Sequence, residues 1–184
     1  MKKGPFVFLV VCLFLNGFKV RAQQELKMFT DTFKLYSISY PSQFELIKNS
    51  PAITTIVAPL DSKDDKFRER LIIEVSRAPE NVPRDSLEKL IEKKLLGMFT
   101  NGKTTLTQSY KLGGADGRKL ILNGTVPNQG DIIVKHYFAI QKSILFRVTS
   151  MEEFMYKMNL TLKPDVKLGD LTPCEKIIES LSIK

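Results

Sequence analysis

Histidine and cysteine supply much of the acid–base and nucleophilic chemistry of proteins, and this chain has one histidine and two cysteines. His136 lies in the stretch DIIVKHYFAIQ and alternates in phase with four apolar residues: Ile132, Val134, Phe138 and Ile140. It is either a metal ligand or general base, or a buried structural histidine with satisfied hydrogen bonds. We predict the buried role, because a catalytic histidine needs a nucleophile and an orienting partner and the sequence has no G-x-S-x-G motif.

Cys174 is a candidate for a reactive thiol, because it falls in the first turn of a predicted helix, where the helix terminus lowers the pKa of a thiol. The same helix places it on one face with Ile177, Ile178 and Leu181. The alternative is a buried cysteine that packs as a small hydrophobic residue. The shared apolar face favours this second interpretation.

The stretch LDSKDDKFRER contains three clustered aspartates, Asp61, Asp64 and Asp65. Clustered carboxylates are the ligands that hard cations such as Ca²⁺ prefer. The EF-hand pattern fails here, because the central glycine is missing and Ile72 stands where the pattern has a glutamate. We predict a solvated acidic loop, with cation contact by the three aspartates as the alternative.

Two further patterns are more typical of structure than of chemistry. Met151, Met155 and Met158 share one face of a possible helix; such a stripe can bind copper(I), but we predict core packing. The run from Gly113 to Gly117 lacks the lysine and the spacing of a phosphate-binding loop and lies between strands, so it predicts a hairpin. The sequence therefore assigns no catalytic, cofactor-binding or metal-binding residue and predicts that the protein is not an enzyme.

Two helices have recognisable start signals. Asp85 and Glu88 form a capping-box pattern that opens a helix ending at Asn101–Gly102. Near the end of the chain, Thr172 and Glu175 form a second capping box, with a proline at the first helical position. The apolar face of the first helix comprises Leu87, Leu90, Ile91, Leu95 and Met98.

Strands account for most of the remaining chain. Residue type and period-two alternation predict three strands before the first helix, at 33–40, 53–58 and 71–76, and four after it, at 106–112, 120–122, 131–141 and 143–150. A tight turn is expected at Gln141–Lys142. Residues 151–162 fit a short helix, with an extended segment at 159–163 as the alternative. Short turns force antiparallel pairing, and amphipathic helices must cover a sheet. The predicted fold is α+β, an α/β/α sandwich with an antiparallel central β-sheet flanked by helices.

The order of these elements resembles the PsbP family, which comprises extrinsic lumenal subunits of photosystem II and bacterial relatives. The similar features are the strand ending at Tyr40–Pro41 with Phe44 after it, the glycine-containing hairpin at Leu112–Gly117, and the closing segment Ile177–Leu181. The chain departs from the family in having no tryptophan, which the opening motif often carries near Phe44. It also has no recognisable plant-type N-terminal extension.

The resemblance covers roughly residues 30–184 and implies a fold shared with DcrB-type periplasmic proteins and Ran-binding eukaryotic proteins. It implies a non-catalytic interaction module, in a family where calcium-linked roles occur. Because one fold serves unrelated functions, the fold does not fix the function.

Residues 1–22 have the pattern of a cleavable signal peptide, with a positive start, an apolar middle and small residues at Val20–Ala22. The uncharged run, 4–18, is shorter than the roughly 20 residues that a membrane-spanning helix needs. We predict cleavage after Ala22 and a single domain at 23–184, exported to the periplasm or the exterior. An uncleaved anchor is the alternative.

Cleavage would change the charge of the protein. The whole chain has 28 basic and 20 acidic residues and a net charge of +8. Four of the basic residues and no acidic residue lie in the predicted signal peptide, so the remainder carries 24 basic residues against 20 acidic ones, or +4. This low charge argues against a nucleic-acid binder. Cys174 would also be left without a disulfide partner in its own chain.

Three functional hypotheses follow. The first is an exported, non-catalytic interaction module that binds an envelope protein or the membrane periphery, as extrinsic photosystem II subunits do. The second is a carrier of a small ligand or lipid, indicated by strands such as 131–141 that are apolar on both faces. The third is an enzyme of unknown type. None of them requires a cofactor.

Overall fold

The computed structural model describes residues 25–60, 63, 67–153 and 172–184. Its main feature is a large β-sheet whose strands are mostly joined by short turns. Seven strands among these residues form it: β3 (Glu45–Ser50), β4 (Ile53–Val57), β5 (Arg70–Arg77), β6 (Lys103–Leu112), β7 (Ala115–Val126), β8 (Gly130–Gln141) and β9 (Ile144–Glu153). They pair antiparallel throughout, in the order β3-β4-β5-β9-β8-β7-β6. The predicted antiparallel central sheet is confirmed.

A smaller sheet lies on one face of the large one. Its three strands are β1 (Leu26–Thr30), β2 (Tyr36–Pro41) and β10 (Ser182–Ile183). They pair antiparallel in the order β1-β2-β10, with β2 in the centre. The end of the chain therefore returns to pair with a strand near its start.

Each face of the large sheet has its own hydrophobic core. On one face, helix α1 (Arg84–Leu96) buries Leu87, Ile91 and Leu95 against residues of β7 and β8. On the other face, helix α2 (Pro173–Glu179) and the small sheet bury apolar residues such as Ile38 and Ile177 against β5, β8 and β9. The fold is thus α+β and dominated by strands; one covering layer is a helix and the other is part helix and part sheet. The predicted α/β/α sandwich is confirmed only in this coarser form.

The start and end of α1 differ from the prediction. Pro83 occupies the N-cap position and no side chain caps the helix, so Asp85 lies inside the first turn. Glu88 pairs with Arg118 on β7 and so does not complete a capping box. The helix ends at Leu96, and Leu90 and Met98, predicted on its apolar face, are exposed.

Three local predictions differ from the structure in their bounds or in the type of element. The strand predicted at 33–40 begins only at Tyr36, because the Asp31 carboxylate accepts hydrogen bonds from the backbone N–H groups of Phe33 and Tyr36 (both 3.0 Å) and holds a turn. The hairpin after β8 turns at Lys142 and Ser143, whose φ angles of 50° and 63° suit a two-residue turn. Met151 lies on β9 and not on a helix, because that strand continues to Glu153.

Candidate functional site

A cavity of about 490 Å³ opens between α2, the end of β2 and the end of β9. Its wall is mainly apolar and includes Pro41, Phe44, Ala58 and Ile177. Leu26 of β1 lies on its rim and is 63% exposed. The volume and the apolar wall are typical of pockets that hold a small molecule or a partner's side chain.

One wall of the cavity carries a buried carboxylate, that of Glu152 on β9. Its side chain is 1% exposed and lies 3.2 Å from the ammonium group of Lys135, which is also 1% exposed. The hydroxyl of Ser150 donates a 2.6 Å hydrogen bond to Glu152 Oε1, and the hydroxyl of Thr172 lies 3.2 Å from the same oxygen. Burying two charges is unfavourable unless they are paired and hydrogen-bonded, and this geometry meets both conditions.

The same cluster anchors the start of α2. Thr172 and Glu175 form the predicted capping box, which is confirmed. Glu175 also lies 3.1 Å from Lys135 and 3.5 Å from Lys119. Burial would raise the pKa of Glu175, but Lys135, the Thr172 backbone N–H and Lys119 outweigh it, so the pKa is lowered and the carboxylate is ionised. We call Lys119, Lys135, Glu152, Glu175 and Thr172 the ion cluster.

Two tyrosines complete the surroundings of the ion cluster. The ammonium of Lys119 lies 5.2 Å from the ring centre of Tyr137 and 6.0 Å from that of Tyr110, which are cation–π distances. Burial, followed by the charge of Glu175, raises the pKa of Tyr137, so its hydroxyl is protonated. The two carboxylates and two ammonium groups balance, and they fix α2 to the sheet.

Cys174 lies in the cavity wall but is 2% exposed, so the predicted burial is confirmed. Burial raises its pKa to about 12, with further contributions from the carboxylates of Glu152 and Glu69. The thiolate is the reactive form of cysteine. The thiol is therefore held in its unreactive state at neutral pH.

His136 is buried on the opposite face of β8, beneath α1. Its Nδ1 is hydrogen-bonded to the hydroxyl of Thr149 at 2.8 Å. The predicted burial is confirmed, but the expected hydrogen bonding is met only at Nδ1, because Nε2 has no partner among the described residues. Burial, together with the charges of Arg147 and Lys94, lowers its pKa to about 3. His136 is thus neutral and separated from Cys174 by the sheet.

The remaining sequence motifs add no described residue to this site. Asp61, Asp64 and Asp65 lie outside the described residues, as do Met155 and Met158. Gly113 and Gly114 form the predicted hairpin between β6 and β7, with φ angles of 57° and 91°. Within the described ranges, no group of three His, Cys, Asp or Glu side chains is arranged to hold a metal, and no helix is long and apolar enough to cross a membrane.

The sequence analysis missed three residues of the ion cluster: Lys119, Lys135 and Glu152. Lys135 alternates in phase with Ile133, Tyr137 and Ala139, so it interrupts the second apolar face of β8. A lysine inside a strand that is apolar on both faces signals a buried ion pair. Glu152 gave no such signal, because it lies where a helix was predicted.

No protein-family model matches the chain, and no curated protein matches it. Several solved structures do. The chain is similar to cyanobacterial PsbP (CyanoP) from Synechocystis, with a TM-score of 0.61 and 11% identity over 92% of this chain and 99% of that one. It is similar to the Ran-binding protein Mog1p from Saccharomyces cerevisiae, with a TM-score of 0.56 and 7% identity over 88% and 96% of the two chains.

A third similar structure is LpqN, described as involved in cell envelope biogenesis of Mycobacterium tuberculosis. Its TM-score is 0.55, with 13% identity over 90% of this chain and 87% of that one. At such identities the likeness concerns the fold alone. The predicted PsbP-like fold is confirmed.

Proposed function

We propose that the protein is an exported, non-catalytic binding module, which acts as an accessory of the cell envelope or the membrane periphery and binds a protein partner at the cavity beside α2. The observation that carries the proposal is an apolar cavity of about 490 Å³ with exposed apolar side chains at its rim. Exposed apolar surface beside a pocket is typical of an interaction site.

Strand β1 extends this surface. Leu26 pairs with Pro41 and Met28 pairs with Ser39, and both Pro41 and Ser39 line the cavity. Met28 therefore lies on the same face of the small sheet as Leu26, and it is 74% exposed. We call Leu26 and Met28 the β1 patch. A partner that inserts an apolar side chain into the cavity would cover this patch.

The proposal includes the absence of catalytic activity, which the burial and the shifted pKa values of two residues support. Cys174 is buried with its pKa raised to about 12, and His136 is buried with its pKa lowered to about 3. Cys174 is held as the unreactive thiol, the low pKa makes His136 a weak base, and the large sheet separates the two side chains. The likeness to CyanoP concerns the fold, so the proposal does not extend to photosystem II.

Site-specific photo-crosslinking in intact cells tests the binding face. A photoreactive residue at Leu26 is expected to give a discrete protein adduct. The matched control is Leu90 on α1, which is 61% exposed against 63% for Leu26 but lies on the opposite side of the large sheet. Adducts of equal yield at both positions, or adducts only at Leu90, would contradict the proposal.

Export is tested on the same cells. We expect the exported protein to begin at Gln23 and to lose the mass of residues 1–22, as measured by N-terminal sequencing and intact mass spectrometry. Retention of the full-length chain inside the cell would contradict export.

A small-ligand or lipid carrier is the second candidate function, and the cavity favours it as well. The volume lies within the range of about 300–1,000 Å³ that small-molecule sites occupy. Native mass spectrometry of the protein purified from its own cells is expected to show a bound small molecule if this candidate is correct. A single species at the mass of the protein alone would contradict it.

A further inference from the structure

The outward face of α1 carries three lysines around one exposed leucine. Lys89, Lys93 and Lys94 are exposed, and Leu90 is 61% exposed. Residues three and four apart are neighbours on a helix surface, so Leu90 lies beside Lys93 and Lys94, and Lys89 lies beside Lys93. We call these four residues the α1 patch. It lies away from the side of the helix that packs on the large sheet.

The acidic side chains of α1 leave the α1 patch largely without compensation. Glu88 pairs with Arg118 of β7 and is 15% exposed. Glu92 accepts a hydrogen bond from the hydroxyl of Thr104 on β6. Both carboxylates are thus directed towards the sheet, and only Asp85 in the first turn is exposed. No ion pair between described residues involves a lysine of the α1 patch.

The exposed charges of α1 are therefore unbalanced. Arg84 and the three lysines of the α1 patch are exposed and positive, against Asp85 alone, so four positive charges and one negative charge give +3 on a helix of 13 residues. Residues 23–184 together have 24 basic and 20 acidic residues, or +4. The surface of one short helix is thus far more basic than the domain as a whole.

This combination of cations and one apolar side chain suits an anionic lipid surface. Lysines close to such a surface are attracted by its head groups. Their long stems let the ammonium groups stay in water while a neighbouring apolar side chain enters the boundary between head groups and acyl chains. A free inorganic anion would use the lysines and leave Leu90 in water, so the leucine favours a lipid surface.

We infer that the α1 patch binds the surface of a membrane that contains anionic lipids, with the three lysines at the head groups and Leu90 at the acyl boundary. The inference rests on the membrane-peripheral part of the proposed function, and it adds the surface of the protein and the class of lipid. Helix α1 and the cavity lie on opposite sides of the large sheet. A protein bound to lipid through α1 therefore presents its cavity away from the membrane, where a protein partner can reach it.

A single tryptophan locates the contact, because the chain has none of its own. Leu90→Trp and Leu26→Trp place it at two positions of nearly equal exposure, 61% and 63%, on opposite sides of the large sheet. Each exported protein is titrated with vesicles of phosphatidylcholine alone or mixed with phosphatidylglycerol. We expect the mixed vesicles to shift the emission of Leu90→Trp to the blue and to leave that of Leu26→Trp unchanged.

The lipid and the salt concentration test the role of charge. Half of the Leu90→Trp shift should require at least about tenfold less lipid for mixed vesicles than for phosphatidylcholine alone, since each lysine near an anionic surface contributes to binding. Binding should weaken strongly between about 0.1 M and 1 M salt, where the Debye length falls from about 10 Å to about 3 Å. Equal binding of both kinds of vesicle, or a shift at Leu26→Trp that equals or exceeds that at Leu90→Trp, would overturn the inference.

Two sets of lysine replacements, made in the Leu90→Trp protein, separate the α1 patch from net charge. The first set replaces its three lysines: Lys89→Gln, Lys93→Gln and Lys94→Gln. The control set removes the same charge from exposed lysines on the side of the small sheet: Lys34→Gln, Lys48→Gln and Lys184→Gln. The first set should weaken binding to mixed vesicles by at least about tenfold, and the control set should weaken it by less than about threefold because those lysines face away from the lipid. Equal losses would overturn the inference.

Failure of the inference and failure of the proposed function give different results. If the folded Leu90→Trp protein binds neither kind of vesicle, the inference is overturned, and a protein adduct at Leu26 in cells would still support the cavity as the partner's site. If the vesicles are not bound and Leu90 instead gives the protein adduct, the α1 patch binds a protein, and both the inference and the proposed binding face are contradicted.

Discussion

Lys135 and His136 are neighbours on β8, are both almost fully buried and face opposite sides of the large sheet, yet they are accommodated in different ways. On the cavity side, Lys135 is paired with two carboxylates and a hydroxyl. On the α1 side, His136 has one hydrogen bond and is held neutral by a pKa of about 3. The charged side chain of Lys135 is therefore buried with partners of opposite charge, whereas the side chain of His136 is buried in its neutral form.

This difference indicates that the two faces of the large sheet have different roles. The α1 face is a core that the chain's own helix closes; its ion pair between Glu88 and Arg118 is partly exposed, and its buried His136 is neutral. The cavity face is closed by a short helix that the ion cluster holds in place, and it leaves an opening beside that helix. A fold built only for stability gains little from buried ion pairs. We therefore place binding on the cavity face.

The largest expected effect is the loss of the charge on Lys135. Lys135→Met leaves the buried carboxylate of Glu152 without its cation, so we expect a loss of about 3–5 kcal/mol in the free energy of unfolding. Urea unfolding followed by circular dichroism measures it. Lys111→Met removes a cation from an exposed pair with Asp116 and is expected to change stability by no more than about 0.5 kcal/mol.

A double replacement sharpens this test. Lys135→Met combined with Glu152→Met removes both buried charges and should recover much of the lost stability, because a well-packed apolar pair can replace a buried ion pair. If Lys135→Met alone costs no more than Lys111→Met, then the ion cluster does not hold α2 as described.

The next effect is the pH dependence that His136 produces. The unfolded chain binds a proton at His136 below pH 6.5, whereas the native state does not until about pH 3. The unfolded state therefore binds more protons in this window, and stability falls as the pH is lowered through it. Between pH 6.5 and 5 we expect a loss of about 1.5 kcal/mol from this group.

Urea unfolding at several pH values measures this loss, and His136→Leu is the control. The variant should flatten the profile between pH 6.5 and 5, a range in which Glu175, whose pKa is lowered by Lys135, stays ionised. A histidine variant with the same slope as the unaltered protein would contradict a neutral, buried His136.

The smallest expected change concerns Cys174. In a Cys12→Ser chain, Cys174 is the single thiol, and its burial and raised pKa predict negligible labelling by a thiol reagent in the native state within minutes. Denatured protein should label completely. Rapid native labelling would show that the cavity wall is open at α2.

Patterns among neighbouring residues predicted most of the fold. They did not predict most of the site, because the site depends on contacts between distant parts of the chain. The capping box at Thr172 and the period-two pattern of β8 and β9 depend on neighbouring residues and are confirmed. The N-cap assigned to Asp85 failed because Glu88 pairs with Arg118, a contact between distant parts of the chain.

The ion cluster depends on such distant contacts throughout. It joins Lys135, Glu152 and Glu175, which lie on two strands and a helix. Only the lysine within an apolar strand was visible as a signal. The small sheet could not be predicted from the sequence for a similar reason. Its strand β10 has only two residues and is defined by its pairing with the distant strand β2.

Photo-crosslinking from Leu26, repeated with the cavity filled, tests most directly whether the cavity face binds the partner. The account predicts that Ala58→Phe reduces the adduct at Leu26 by at least about tenfold, since losing a central anchor typically costs more than about 1.4 kcal/mol. Ala52→Phe, which adds the same side chain at an exposed turn outside the cavity wall, should leave the adduct unchanged. Equal adduct yields in the two variants, with both proteins folded and exported, would contradict it.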